Sequence, residues 1–297
     1  MGHWGKSVFG ELVIMYLFLG GCGAGMLLVS SLWSFVFHGC MSRTRRESDA
    51  FKAFRNRCFV VGTVVAAVGA ACLLADLGKP ERFILLFFRP NQTYLTFGTF
   101  VLTLLVGLGL FLSVANCLYV PWVKARLKAV AEVACSISAV AVMAYTGLFL
   151  QGLKAVAFWD TWLIPALFVL SAISMGISAC LIAGSLIRDS WLMGRYVLLL
   201  HKAHLVVVVA EAVVLVAFLV IAATGRGAAP ESLTLMLSDP LVWWFGLGVV
   251  LCGLVVPCVG SASTLVRRGS STFPLADVLC LFGGFALRLC IVSAGLH

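Results

Sequence analysis

Residues 12–37 read LVIMYLFLGGCGAGMLLVSSLWSFVF, an apolar run without one Asp, Glu, Lys or Arg. A helix needs roughly 20 apolar residues to cross the hydrocarbon core of a bilayer, because each residue advances it by only about 1.5 Å. This run is long enough. A membrane-spanning strand would need about 9–11 residues and would alternate apolar with polar positions, which this run does not do. In lipid, backbone amides must find partners inside their own segment, and a helix provides them. The run therefore predicts a membrane-spanning helix.

The same pattern recurs at 58–75, 95–118, 129–150, 162–187, 204–223, 241–266 and 275–296. Eight spans predict an all-α integral membrane protein built as two four-helix bundles, residues 1–155 and 156–297. Composition agrees. Hydrophobic residues make up 62% of the 297 positions and charged residues 11%, mean hydropathy is +1.09, and a soluble domain carries about 25% charged residues. Too few polar residues are present to cover a surface in water, so the solvent is the lipid bilayer. The first span exceeds the length of a signal-peptide core and lacks a small-x-small cleavage pattern, so it is expected to stay in the protein. Lys6 stands where a myristoylation motif after Gly2 needs Ser or Thr.

The formal charge of +9 is not a nucleic-acid signal, because no basic domain lies outside the spans. Its distribution is informative. The odd-numbered loops carry fourteen basic residues: Arg43, Arg45, Arg46, Lys52, Arg55 and Arg57 in the first, then Lys124, Arg126 and Lys128, then Arg188, Arg195 and Lys202, then Arg267 and Arg268. The N-terminus and the even loops carry six: Lys6, Lys79, Arg82, Arg89, Lys154 and Arg226. Basic residues accumulate on the cytoplasmic side. Both termini of this multi-pass protein are therefore expected to face outward from a bacterial or archaeal cytoplasmic membrane.

Eleven cysteines and five histidines invite a metal or redox reading, and their spacing argues against it. No Cys-x-x-Cys pair occurs, and most cysteines fall inside spans as small apolar packing residues. Cluster ligation needs grouped thiolates, and a membrane haem needs axial histidines at matching depth. Neither pattern is present, so the expectation is no metal, no haem and no iron–sulfur cluster in this protein.

Ionisable groups at membrane depth are costly and point to function. Glu11 and Tyr16 in the first span, Asp76 at the end of the second, and Tyr145, Gln151 and Lys154 at the end of the fourth share the outer leaflet under this topology. If the first four helices form a bundle, they converge on one pocket. Glu211 and Arg288 lie deeper, in the sixth and eighth spans. An unpaired buried charge is expensive, so the two are expected to pair, either as a bundle-locking ion pair or within a proton path. His204, at the start of the sixth span, falls two helical turns before Glu211 on the same face. In the first span Gly21-x-x-x-Gly25 is a spacing that admits a neighbouring helix or a flat ligand.

Several stretches carry a resemblance. YLFLGGCGAG at 16–25, LADLGKPERF at 74–83, Pro90-Asn91, Tyr145-Thr-Gly147 and GGFALR at 283–288 with Gly295 resemble, in order, the polysulfide reductase membrane subunit family, the NrfD/PsrC type. The Asp-Leu-Gly-Lys-Pro stretch is the most specific. The resemblance implies a haem-free, eight-helix, quinone-binding anchor of a multisubunit oxidoreductase. Its implied partners are an iron–sulfur subunit with several four-iron clusters and a molybdopterin catalytic subunit. It implies that Tyr145 contacts the quinone, expected to be menaquinone, in the first bundle, and that the loop around Asp76, Lys79 and Arg82 docks the cluster subunit. Some members use an Asn or His of the first helix as a quinone ligand. No matching His is found here, and Glu11 or Tyr16 takes that place, beside Gly21.

The rival reading is a secondary transporter or ion channel that uses buried Glu211 and Arg288. The halves lack similarity to each other, and no matching pair of Gly/Pro-broken helices marks a transporter repeat.

Overall fold

The structure, a computed structural model, describes residues 10–39, 44–76, 94–118, 124–153, 156–186, 194–225, 229–266 and 274–295. The apolar runs fold as helices α1 (Glu11–Gly39), α2 (Arg45–Asp76), α3 (Tyr94–Cys117), α4 (Ala125–Gln151), α5 (Leu163–Ser185) and α6 (Gly194–Thr224). A short α7 (Ala229–Met236) precedes α8 (Leu241–Val266) and α9 (Leu275–Ser293). The middle of α8, Trp244–Val255, winds as a π-helix. All but α7 are long and apolar enough to cross a membrane, and no strand occurs among the described residues. Valines and isoleucines stand bare on the outside, with Ile137 67% and Val206 68% exposed. Such surfaces suit contact with acyl chains.

Two helices begin well before their apolar runs. α2 starts at Arg45, not near 58, so Arg45, Arg46, Lys52, Arg55 and Arg57 ride on a helix and not in a loop. Ala50, Phe51, Phe54 and Cys58 are buried at helical spacing, and that stripe carries the helix through its charged turns. α6 likewise starts at Gly194. His201 and His204 therefore lie two to three turns inside the helix instead of at its beginning.

α1 is the central helix and packs on α2, α4 and α5. Glycines make this close. A side chain on Gly23 would meet the backbone nitrogen of Ala66 on α2 at 2.6 Å, and one on Gly25 would strike the carbonyl of Ala172 on α5. Backbones that approach this near gain van der Waals contact along the whole seam, which is how helices associate in lipid. α2 meets α3, α3 meets α4 and α4 returns to α1; α5, α6, α8 and α9 close a second ring. One apolar core runs through both rings, including Leu17, Leu27, Met143, Phe168 and Leu287. Trp159, between α4 and α5, donates from Nε1 to the Ile291 carbonyl at 3.0 Å and packs its ring over Gly295. That contact ties the α4–α5 connection to the end of α9.

Candidate functional site

Antiparallel packing brings the start of α1 and the ends of α2 and α4 to one end of the first ring. Glu11 lies exposed in the first turn of α1, and Asp76 is the exposed last residue of α2. An Asp76 oxygen sits 3.4 Å from where a side chain on Gly10 would begin, which places this carboxylate at the N-terminus of α1. Negative charge is favoured there by the helix dipole. About 7 Å deeper along α1, by helical rise, lies buried Tyr16, and α4 buries Tyr145 beside it.

Both rings are 1% exposed. Their hydroxyls face each other closely enough to interact, yet neither makes a well-formed hydrogen bond to the other or to any described group. A buried hydroxyl without a partner costs about 1–3 kcal/mol. Here two of them stand together. Gly98 of α3 makes room for the Tyr145 ring, since any side chain at 98 would run into it. Gly20 lies against the Tyr16 ring, where a Cβ would sit 3.3 Å away. Gly98 was not singled out from sequence, and a lone glycine among apolar residues gives little to find it by. Lys79, Arg82 and Lys154 lie outside the described residues.

Gly21 does not join this site. It faces α5 and α9, where a Cβ would lie 2.9 Å from Arg288 Nη2 and 3.6 Å from the Ala172 Cβ. The glycine admits a guanidinium to the α1 backbone, not a flat ligand.

Arg288 is fully buried and makes no direct ion pair with Glu211, contrary to expectation; the ion pairs among the described residues are Lys52–Asp49 and Arg55–Glu132. Arg288 donates from Nε to the Leu17 carbonyl at 3.0 Å, and from Nη1 to the Gly284 carbonyl at 2.8 Å and to Ser171 Oγ at 3.2 Å. The Phe168 ring lies 5.2 Å from its guanidinium carbon. Ser171 also faces Glu211, so the hydroxyl stands between the two charges and they act on each other across it. Direct contact is replaced because α1 presents a carbonyl that the guanidinium can reach.

His204 is the centre of a second buried group. Ser174 and Ser178 of α5 approach its Nε2 at 3.2 and 3.3 Å, and Cys280 of α9 at 3.7 Å. Ser261 of α8 meets its Nδ1 at 3.2 Å. Asp277, in the first turn of α9 and mostly buried, faces Ser178.

A third polar group fills the other end of the first ring. Glu132 of α4 pairs with Arg55 at 3.5 Å and accepts from Ser34 at 3.2 Å, and Arg55 also donates to Asn116 at 3.1 Å. This cluster joins all four helices. Glu132 and Asp277 were not picked out from sequence. The available signal was a carboxylate two or three residues inside an apolar run. No group of three or more His, Cys, Asp or Glu side chains is gathered to hold a metal among the described residues.

The fold and these buried polar groups define a multi-pass helical membrane protein with a buried tyrosine pair near one end of its first ring. The whole sequence, residues 1–297, matches the model of the family described as polysulphide reductase, NrfD, and the protein belongs to that family. It is 27% identical over 317 residues to Protein NrfD of Escherichia coli K12, covering 99% of this protein and 96% of the relative. It is 26% identical over 316 residues to the C subunit of polysulfide reductase from Wolinella succinogenes, covering 99% and 93%. The NrfD homolog of Haemophilus influenzae is 25% identical over 321 residues, covering 99% and 96%.

Proposed function

We propose that this protein is the quinone-reactive membrane subunit of an oxidoreductase complex, with the quinone headgroup held between Tyr16 and Tyr145. The observation that carries the reading is the pair of buried phenol hydroxyls with no partner of their own. A quinone supplies two oxygens at the edge of a flat apolar ring. Each hydroxyl can donate to such an oxygen while its own ring packs in the apolar core. The substrate brings two-electron, two-proton chemistry. The protein contributes position, a dry wall and acceptors for protons: Glu11 and Asp76 sit between the tyrosines and solvent, where carboxylates can take up or give back protons.

Electrons need a redox centre in another subunit, and the resemblance supplies an iron–sulfur subunit and a molybdopterin subunit for that role. The Wolinella relative is by name one part of a reductase, which supports a multisubunit assembly here. Docking of the cluster subunit belongs with the Asp76 end, together with Lys79 and Arg82. Arg55 and Lys128 lie at the opposite end of the ring, with most of the basic residues. That asymmetry supports termini that face outward and a basic end in the cytoplasm. The buried charges fit transport less well, since Arg288 is fixed by two backbone carbonyls and a serine.

The test is quinol-dependent reduction of the partner clusters in the assembled complex, with a dye donor to the catalytic subunit as control. Losing one neutral hydrogen bond costs about 0.5–1.5 kcal/mol. Tyr145→Phe is expected to lower quinol turnover about threefold to tenfold and to leave dye-driven activity intact. Equal loss in both assays, or unchanged quinol turnover, overturns the role of Tyr145.

A further inference from the structure

The outer face of α4 holds a groove of about 360 Å³, lined by Ala129, Val130, Val133, Ala134 and Ile137. It lies at the end of the first ring that carries Arg55 and Lys128. Helical spacing explains its shape. Val130, Val133 and Ile137 follow one another at three and four residues, so they form one row along the helix. They are 65%, 47% and 67% exposed. Ala129 and Ala134 flank the row, and their short side chains leave depth beside it. By helical rise the groove is about 12 Å long.

The same face carries a cation. Arg126 precedes Val130 by four residues and Val133 by seven, so it stands at the head of the row, one turn nearer the start of α4. Lys124 is the N-cap residue of the same helix. Both side chains are exposed. The other cations at this end are engaged within the protein, Arg55 with Glu132 and Asn116, and Lys128 with the Ala115 carbonyl. Lys124 and Arg126 make no ion pair among the described residues. The first turn of α4 has no acidic residue, so these two charges add to the positive end of the helix with nothing to offset them.

We propose that this groove binds one anionic phospholipid, its phosphate on Arg126 and Lys124 and an acyl chain laid along the valine row. Binding here does not depend on a quinone at the tyrosine pair. Charge decides the occupant. A neutral lipid fills the groove and leaves both cations unopposed. Two copies of this protein in one membrane are parallel, so packing groove against groove sets Arg126 against Arg126. A phosphate diester brings one negative charge and two oxygens, which a guanidinium can hold together. Depth fits as well. A long side chain on a helix leans toward the helix N-terminus, so Arg126 reaches out of the hydrocarbon toward the headgroup layer. The groove begins one turn below, where acyl chains begin.

Native mass spectrometry of the full-length protein in detergent micelles tests this, by titration with dioleoyl phosphatidylglycerol or dioleoyl phosphatidylcholine. The two lipids share their chains and differ in net charge. The wild type is expected to bind its first phosphatidylglycerol at least fivefold more tightly than its first phosphatidylcholine. Lys124→Gln/Arg126→Gln should abolish that preference, and Arg126→Lys, which keeps the charge, should retain it. Arg45→Gln/Arg46→Gln removes two exposed cations of α2 outside the groove and should retain it too. Ala134→Phe, which fills the groove, should weaken phosphatidylglycerol binding at least threefold. The site is overturned by equal affinity of the wild type for the two lipids, by a preference that survives Lys124→Gln/Arg126→Gln, or by one lost equally in Arg45→Gln/Arg46→Gln. Unchanged binding in Ala134→Phe overturns the seating of the chain in the groove. A wild-type dimer that persists with phosphatidylglycerol and is lost in Ala134→Phe gives this face to a second copy and overturns the proposal.

Discussion

The tyrosine pair of the first ring and the polar groups around His204 and Arg288 in the second are satisfied differently. In the first, the hydroxyls of Tyr16 and Tyr145 lie together without partners. In the second, His204 has hydroxyl or thiol neighbours on both nitrogens, and Arg288 holds two carbonyls and a serine and leaves only Nη2 without a partner. Interiors rarely leave polar groups unpaired, because each one costs stability. The difference therefore assigns roles. On the proposed reading, the two facing hydroxyls are free to bond a ligand, and the groups paired among themselves hold the helices. Removing a group from the second ring should cost stability, whereas removing a hydroxyl from the pair should cost only ligand.

The largest effect is expected at Arg288. Arg288→Met leaves Glu211 buried without its neighbouring cation and frees the α1 seam. It should lower stability by about 3 kcal/mol, on the scale of a broken buried ion pair. Unfolding in mixed micelles measures it, and adding Glu211→Gln should recover part of the loss. Additive costs in that double-mutant cycle would show that the charges do not act on each other across Ser171.

Gly98→Val comes next. The added isopropyl group collides with the Tyr145 ring, and overpacking of this kind costs about 1–3 kcal/mol. Here the damage should fall on function as well, because the ring must move. Quinol turnover should drop more than in Tyr145→Phe. Full turnover in an assembled Gly98→Val complex would show that the position of the Tyr145 ring does not matter.

The smallest effect sharpens the contrast most. Tyr145→Phe in the ligand-free protein should leave stability unchanged or raise it by up to about 1 kcal/mol, since it deletes a buried hydroxyl that lacks a partner. Ser261→Ala, which takes a partner from His204, should lower stability by about 1 kcal/mol. Matching losses in the two variants, read by the same unfolding assay, would erase the distinction between the rings.

Much of the fold could be read from the sequence because lipid permits so few solutions. Eight long apolar runs have to become helices, and they do. Charge misled at the edges. The basic turns of α2 looked like a loop, although Ala50, Phe51, Phe54 and Cys58 already marked a buried helical stripe. The site was partly legible. Tyr16, Asp76 and Tyr145 could be brought to one end by counting spans, but that the two tyrosines meet depends on how α1 packs against α4. The pairing of Glu211 and Arg288 was expected from cost alone, and the structure resolves that cost differently, through Ser171 and the Leu17 carbonyl. The α5 serines were invisible in advance. A serine in a membrane helix often bonds its own backbone, as Ser138 does with the Ala134 carbonyl at 2.8 Å, and nothing in the sequence separates Ser174 or Ser178 from that habit.

The central claim is that the unpaired tyrosines hold a quinone. Its most direct measurement is the affinity of the purified protein for a menaquinone analogue, compared between the wild type and the double variant Tyr16→Phe/Tyr145→Phe. Two neutral hydrogen bonds contribute about 1–3 kcal/mol together, so the double variant should bind at least fivefold more weakly while remaining as stable as the wild type without ligand. Equal affinity in the two proteins would contradict the account.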